Sequence, residues 1–384
     1  MPPVDAPEIA ALIAESGPSG LRPEVLAERL AGVSRSTLNR RLAELVKSGV
    51  VRAEGAGRGT RYVSASPLTR IDIDRYFATA WQQRPLARFR EELLSAEPGM
   101  ALDRAKRCTR IQALALPMDA RLLASFVIDL SWASSLLEGS TYSALDTAAL
   151  IQYGQRNPDK PTGDAVLALN HKRAAEFLWQ HRELNAENVH ALQALLTDDH
   201  SMAELAGVDH FLPPAQRGRP REFEDVNLAT SAYLPPFRPG TGFVGQALLR
   251  VLETANTLHP VQAALYLMTR IPYLQAYANG NKRTSRLAAN GPLLSHGLLP
   301  ISFADVDKAD YIRGMAAFYE LGNLHVIEQT FIAGYVRSVL RASDIPARLR
   351  VGGFDAAAVA AALVEFINSS RLPSDPRARI FCGA

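Results

Sequence analysis

Apolar positions recur at helical spacing through most of the chain, and alternate at strand spacing almost nowhere. Periodic stretches at 119–138, 143–153, 165–181, 187–197, 243–257, 260–270, 282–296, 308–320 and 325–341 make the region from about 70 to 345 almost wholly helical in expectation. Its one extended stretch runs from Phe223 to Tyr233, before Pro235-Pro236 and after a Pro/Arg/Gly-rich segment, Pro213 to Pro220. The first 65 residues follow another plan. Three short helices are predicted, Pro7 to Ser16, Arg22 to Ala31 and Arg35 to Ser48, with a tight turn at Gly32-Val33-Ser34. Ser34 is the expected N-cap of the third helix and Gly49 its stop. Residues 50–53 and 60–63 then read as two strands around a glycine-rich, basic tip, Glu54 to Gly59. After residue 346 one Ala-rich helix, about 355–368, and a mobile end are expected.

Composition narrows the class. The chain has 384 residues, 47% apolar, 21% charged and 7% aromatic, which is globular and not disordered or fibrous. Its length suits two or three domains. The net charge of +3 shows no global excess, so any surface for nucleic acid has to be local. Cys108 and Cys382 are far apart, lack metal-ligand spacing and read as free thiols. The N-terminus has no basic and apolar regions of a signal peptide. No stretch is expected to approach a membrane span; the most apolar run, Ala356 to Ile367, is short and carries Glu365. These features predict a soluble, cytoplasmic protein with no membrane partner.

The first unit reads as a winged helix-turn-helix domain, residues 1–66, of the kind found in many bacterial regulators. In its third helix Leu38, Leu42, Leu45 and Val46 share the core face. Ser36, Arg40 and Lys47 lie opposite, flanked by Thr37 and Asn39, which is the layout a recognition helix needs. Residues 35–61 hold seven basic residues against Glu44 and Glu54, an excess suited to phosphate contacts. The expected DNA-binding residues are Arg35, Ser36, Thr37, Asn39, Arg40, Arg58 and Arg61. The alternative is a winged helix used for protein contacts. Winged-helix regulators commonly dimerise, so a homodimer is expected.

The most informative stretch is Gln275-Ala-Tyr-Ala-Asn-Gly-Asn-Lys-Arg-Thr-Ser-Arg-Leu287. Asn279-Gly280 is a turn signal, and Asn281 can cap the helix that follows. The first-turn N–H groups around Lys282 to Thr284 then lack intrahelical partners and, with the helix dipole, form an anion site. Lys282 adds a point charge. Arg283 and Arg286 lie on adjacent ridges of one helix and can converge on one polyphosphate. Basic residues at a helix N-terminus oppose the dipole, and a bound anion relieves that conflict.

This stretch resembles the Fic family (filamentation induced by cyclic AMP), whose motif is His-Pro-Phe-x-Asp/Glu-Gly-Asn-Gly/Lys-Arg-x-x-Arg. The resemblance covers about residues 70–345. Asn170-His171 resembles the family's Asn-His segment. Ser231 to Pro236 is similar to the flap before the core helices. Ser134-Ser-Leu-Leu-Glu-Gly139 is similar to the family's inhibitory motif, Ser/Thr-x-x-x-Glu-Gly, and precedes a capping-box pattern at Ser143 to Asp146. The resemblance implies a mainly α, Fic-type helical bundle with a small β-hairpin flap after the winged helix. The boundaries are 67–200 for an N-terminal helical part with the inhibitory helix, 201–345 for the Fic core and 346–384 for a C-terminal helix and tail. Most studied members transfer AMP from ATP to a protein hydroxyl. By resemblance Gly280, Asn281 and Lys282 would shape the anion hole, and Arg283 and Arg286 would hold the β- and γ-phosphates. Glu138, helped by Ser134, would occupy the γ-phosphate's place by pairing with Arg286. The flap, 223–233, would take a protein target by edge pairing or simply cover the site.

Two positions depart from the motif. Gln275 stands where the base His would be, and an amide takes no proton at neutral pH. Asn279 stands where the metal-binding acid would be, which weakens any Mg2+ site, and no metal ligand is firmly assigned. His259 and His296 are the nearest histidines in sequence. Three uses stay open: a divergent nucleotidyl or phosphoryl transferase, a silent ATP-binding domain tuning the DNA-binding unit in transcription regulation, and AMP removal with Glu138 positioning water.

Overall fold

The structure, a computed structural model, describes residues 6–17, 20–30, 33–55, 57–65, 68–95, 99–347 and 353–383. The chain divides into two compact units. The first comprises residues 1–87 with 228–233, and the second 88–227 with 234–384.

In the first unit α1 (Ala6–Glu15), α2 (Pro23–Arg29) and α3 (Arg35–Lys47) precede β1 (Val51–Glu54), β2 (Arg61–Ser64) and α4 (Arg70–Ala78). Ser34 caps α3 as expected, its hydroxyl accepting the Thr37 N–H at 3.2 Å. Ile9, Ile13, Leu26, Leu38 and Leu42 are wholly buried, so the three helices share one core. Val46, expected in that core, is instead exposed: it sits in the last turn of α3, where Leu45 takes the buried position. The strands pair antiparallel, Val51 opposite Ser64 and Glu54 opposite Arg61. Leu21 adds a bridge to Tyr62, through bonds of 2.9 and 2.8 Å. Gly20 (φ +61°) is required there, since a Cβ would stand 2.6 Å from the Tyr62 carbonyl oxygen.

The second unit is helical: α5 (Glu92–Ser95), α6 (Leu102–Arg110), α7 (Ala120–Leu137), α8 (Ala144–Tyr153), α9 (Thr162–Gln180), α10 (Ala186–Leu196), α11 (Phe243–Asn256), α12 (Pro260–Leu274), α13 (Asn281–Ala288), α14 (Asn290–Ser295), α15 (Lys308–Leu321), α16 (His325–Arg341), α17 (Ala356–Ser369) and α18 (Pro376–Arg379). At its centre is α12. Every residue from Val261 to Leu274 is buried, as expected of a helix with neighbours on all sides, here α6, α11, α13, α14 and α15. Helix α7 packs on α8 and α9.

Three expectations change. The 223–233 stretch is not a hairpin. Only Tyr233–Leu234 is strand, and it pairs with Ala87–Arg88. Pro235-Pro236 follows at once, and prolines without N–H groups cannot extend a returning ladder. The C-terminal end is packed rather than mobile. Phe381 and Cys382 are buried, and Arg110 on α6 donates to the Cys382 carbonyl at 3.0 Å while Arg107 donates to Ile367 O at 2.7 Å. Finally, α7 reaches 18 residues at mean hydropathy 1.3, so among the described residues one helix is long and apolar enough to cross a membrane by length and composition. Its buried Ser131, Ser134 and Ser135 place it inside the helical unit. Both cysteines are free and buried, and burial pushes the Cys108 thiol up to about 12.

Leu42→Ala is expected to lower stability by about 2–5 kcal/mol, because a fully buried side chain is lost from a small core. Urea unfolding of the full chain measures it, and an unchanged midpoint would show that α3 does not pack as described.

Candidate functional site

The informative stretch forms the turn between α12 and α13. Gln275 ends α12 in the left-handed region (φ +49°), uncommon for a residue with a side chain. Gly280 (φ +79°) opens α13, and a Cβ there would meet Thr197 Cγ2 at 2.8 Å. The cap position therefore falls on Gly280, and Asn281 does not cap the helix as expected. Its amide staples the turn instead: Oδ1 accepts the Tyr277 N–H at 2.9 Å, and Nδ2 donates to Tyr277 O at 2.8 Å and Gln275 Oε1 at 2.9 Å. The first N–H groups of α13, from Asn281 to Arg283, are left without acceptors in their own helix.

Both arginines are buried, at 1% and 0% exposure. Arg283 donates to Leu196 O at 2.7 Å, His210 O at 2.9 Å and Asn279 Oδ1 at 3.2 Å, while its buried Nε has no partner. Arg286 donates to Ser134 Oγ at 2.9 Å, Ser134 O at 3.2 Å, Tyr311 Oη at 3.2 Å and Glu138 Oε1 at 2.6 Å. The ion pair expected between Glu138 and Arg286 is thus formed, across 148 residues of chain. Lys282 is half-buried and bonds no described residue through its side chain. Burial pushes Arg283 down to about 10, which leaves it charged at neutral pH. Burial works to raise the Glu138 pKa, but Arg286, Lys282 and Arg283 together hold its carboxyl well below the usual carboxylate range.

The two departures from the motif have defined surroundings. The Gln275 amide donates to Pro272 O at 2.7 Å and accepts from Asn281, with only 6% of the residue exposed. The Asn279 oxygen accepts from Gly280 N–H at 2.5 Å and from Arg283, and its nitrogen donates to Asp209 O. An amide oxygen has two lone pairs, and both are taken. Hard cations seek anionic oxygens, and no group of three or more Asp, Glu, His or Cys side chains is arranged to hold a metal among the described residues. The residues present do not fit Mg2+.

Long-range partners missing from the motif hold this turn in place. Gln193, wholly buried on α10, donates to Asn279 O at 3.0 Å and accepts the Gly218 N–H at 2.6 Å. Arg221 donates through Nε to Gln275 O at 2.6 Å and through its main chain to Ala276 O at 2.9 Å. The signal for Arg221 was only the irregular Pro213 to Pro220 segment before it; nothing local marked Gln193. His259 caps the far end of α12, about 24 Å from Gln275 at 1.5 Å per residue. His296 bonds Pro292 O at 2.8 Å. The histidine brought to the turn is His190, whose Nδ1 lies 2.9 Å from the Tyr277 hydroxyl. His171 is buried near Glu138 and both arginines; burial pushes it down to about 3, so it is neutral, and its Nε2 has no partner.

In the first unit Arg35, Ser36, Asn39 and Arg40 are exposed on α3. Thr37 is half-buried, its hydroxyl 2.9 Å from Ser34 Oγ. Arg61 is drawn into an ion pair with Glu54 at 2.9 Å, which Arg52 shares at 3.1 Å. The Arg58 side chain lies outside the described residues.

No protein-family model matches the chain. Solved structures are similar to it. They include Fic-1 from C. elegans at 18% identity, with 62% of this chain and 71% of that one covered and a TM-score of 0.46. A Fic domain containing signaling protein from Bacteroides thetaiotaomicron is 19% identical over 62% and 95%, with a TM-score of 0.47. A Fic family protein from Desulfovibrio desulfuricans is 15% identical over 71% and 86%, also at 0.47.

The pKa direction of Glu138 sets a pH dependence. Its folded pKa is depressed, so its stabilisation is complete above the unfolded value of about 4.3 and is lost as pH falls below that toward the folded value. Glu138→Gln is expected to flatten this acid decline and to lower neutral stability by about 1–3 kcal/mol. Melting temperatures across an acid series measure both; parallel curves for the two proteins would refute the buried ion pair.

Proposed function

We propose that the second unit is a Fic-type domain that binds a nucleotide polyphosphate without carrying out efficient transfer, and that it tunes a DNA-binding winged helix in the first unit. The observation that carries this reading is the division within one turn. Lys282, Arg283 and Arg286 of α13 all act on the Glu138 carboxylate, which already neutralises Arg286 as a phosphate would. Gln275 and Asn279, at the motif positions of base and metal ligand, have their amides bonded within the protein. Losing a positioned base costs about 10²–10⁴ in rate. Orientation and charge stabilisation by Arg283 and Arg286 would leave only residual AMP transfer to a protein hydroxyl.

The DNA half of the proposal rests on α3. Its apolar face is buried, and Arg35, Ser36, Asn39 and Arg40 stand exposed along its N-terminal half. That arrangement suits a helix entering the major groove. Arg61 is paired with Glu54 and Arg35 lies 3.5 Å from Glu24, which leaves Arg40 as the exposed basic group of this half of α3 with no ion pair among the described residues.

Glu138→Gly is expected to bind ATP about tenfold more tightly, since about 1.4 kcal/mol is a modest value for a released charge-assisted bond. Isothermal titration of both proteins measures this. Labelled ATP with cell lysate tests transfer: label reaching a protein and lost in Arg283→Ala would favour a working transferase over the regulator. DNA binding whose affinity falls with salt and shifts on adding ATP is the regulator's expected signature. Equal ATP affinities, no labelling and no salt-dependent DNA binding would remove the proposal.

A further inference from the structure

The same turn speaks to the chemical form of the ligand. Polyphosphates commonly reach proteins as magnesium complexes, with a carboxylate on the protein sharing the metal. Here that position holds Asn279. Its oxygen is turned toward two groups that can only donate, the Gly280 N–H at 2.5 Å and the Arg283 guanidinium at 3.2 Å, so the amide cannot present that oxygen outward without breaking both bonds. Its nitrogen is fixed by the Asp209 carbonyl. Asp209 thus reaches Asn279 through its main chain, not its carboxylate. The carboxylate beside the arginines, Glu138, is spent on Arg286 at 2.6 Å.

The positive charge is supplied by the chain instead. Lys282 and Arg283 lie in the first turn of α13 and Arg286 in its last, and the Lys282 side chain bonds no described residue. The buried Arg283 Nε is also without a partner. An arriving anion that displaces Glu138 from Arg286 meets two arginines held by hydrogen bonds and the unbonded ammonium of Lys282. A metal-bound ligand has part of its charge already covered, and would bring a cation toward these three with no oxygen ligand waiting.

Resting on the function proposed above, we infer that this site selects a polyphosphate free of Mg2+, its charge met by Lys282, Arg283 and Arg286 in place of a metal. Mg2+ acts here as a competitor for the phosphate oxygens rather than as a partner.

The test is isothermal titration of the full chain, wild type and Glu138→Gly, with ATP and with inorganic tripolyphosphate, in EDTA and in excess Mg2+. Binding is expected to be as tight or tighter in EDTA for both probes. Lys282→Gln, a half-buried position with no side-chain bond to lose, is expected to weaken both by about tenfold in EDTA, the loss of one charge-assisted contact. Asn279→Asp is expected to gain a preference for Mg2+. Tighter binding with Mg2+ in the wild type would overturn the inference while leaving the nucleotide-binding reading in place. A wild type and Asn279→Asp that respond alike to Mg2+ would overturn the role given to Asn279. No binding of either probe, by either protein in either buffer, would instead sink the nucleotide-binding reading itself.

Discussion

A guanidinium with no exposed surface is tolerable only if its charge and its donors are met, because an unpaired buried cation costs several kcal/mol. Arg286 is such a group, and the way it is satisfied shapes the candidate site. Its partners come from the end of α7 and from α15, so one side chain ties the last turn of α13 to two helices distant in sequence. The carboxylate of Glu138 sits at a helix C-terminus, where the dipole disfavours it. That placement is sustained by three nearby cations. The pair is therefore best regarded as two groups in unfavourable positions that are each made acceptable by the other.

The turn before α13 has the opposite character. It is held by neutral amide groups whose donors and acceptors are matched within the protein: Asn281 to Tyr277 and Gln275, Gln193 to Asn279 and Gly218. Fully satisfied buried networks are rigid, and their members have little capacity left for outside chemistry. The cations beside them keep a different balance, with an orphaned Nε on Arg283 and an unbonded ammonium on Lys282. The bonded amides and the incompletely bonded cations thus lie side by side in one turn and the helix after it.

The N-terminal unit shows a related economy. Five basic side chains in excess along residues 35–61 suggested a broad phosphate-binding surface, yet Glu54 draws in both Arg52 and Arg61 and Glu44 lies 2.8 Å from Arg41. Counting charges along a chain overstates the field at its surface whenever acids fall within reach of the folded hairpin or one helical turn away.

Much of this was legible in residue order alone, wherever the cause was local. Helical periodicity located the main helices of the second unit, Ser34 announced the cap of α3, and Asn279-Gly280 announced the turn, because spacing, capping and backbone freedom act over a few residues. The Glu138–Arg286 pair was reached through motif resemblance rather than local pattern. The rest required the folded chain. Whether Val46 is covered, whether residues 370–383 find a surface on α6, which partner Tyr233–Leu234 takes, and that Gly280 rather than Asn281 occupies the cap beside Thr197 all depend on groups tens to hundreds of residues away. So does the fate of the two amides. Sequence shows that Gln275 and Asn279 are not the ionisable groups of the motif, but only tertiary structure assigns their oxygens to particular donors. A side chain's chemistry is written in its type, while its availability is set by what packs against it.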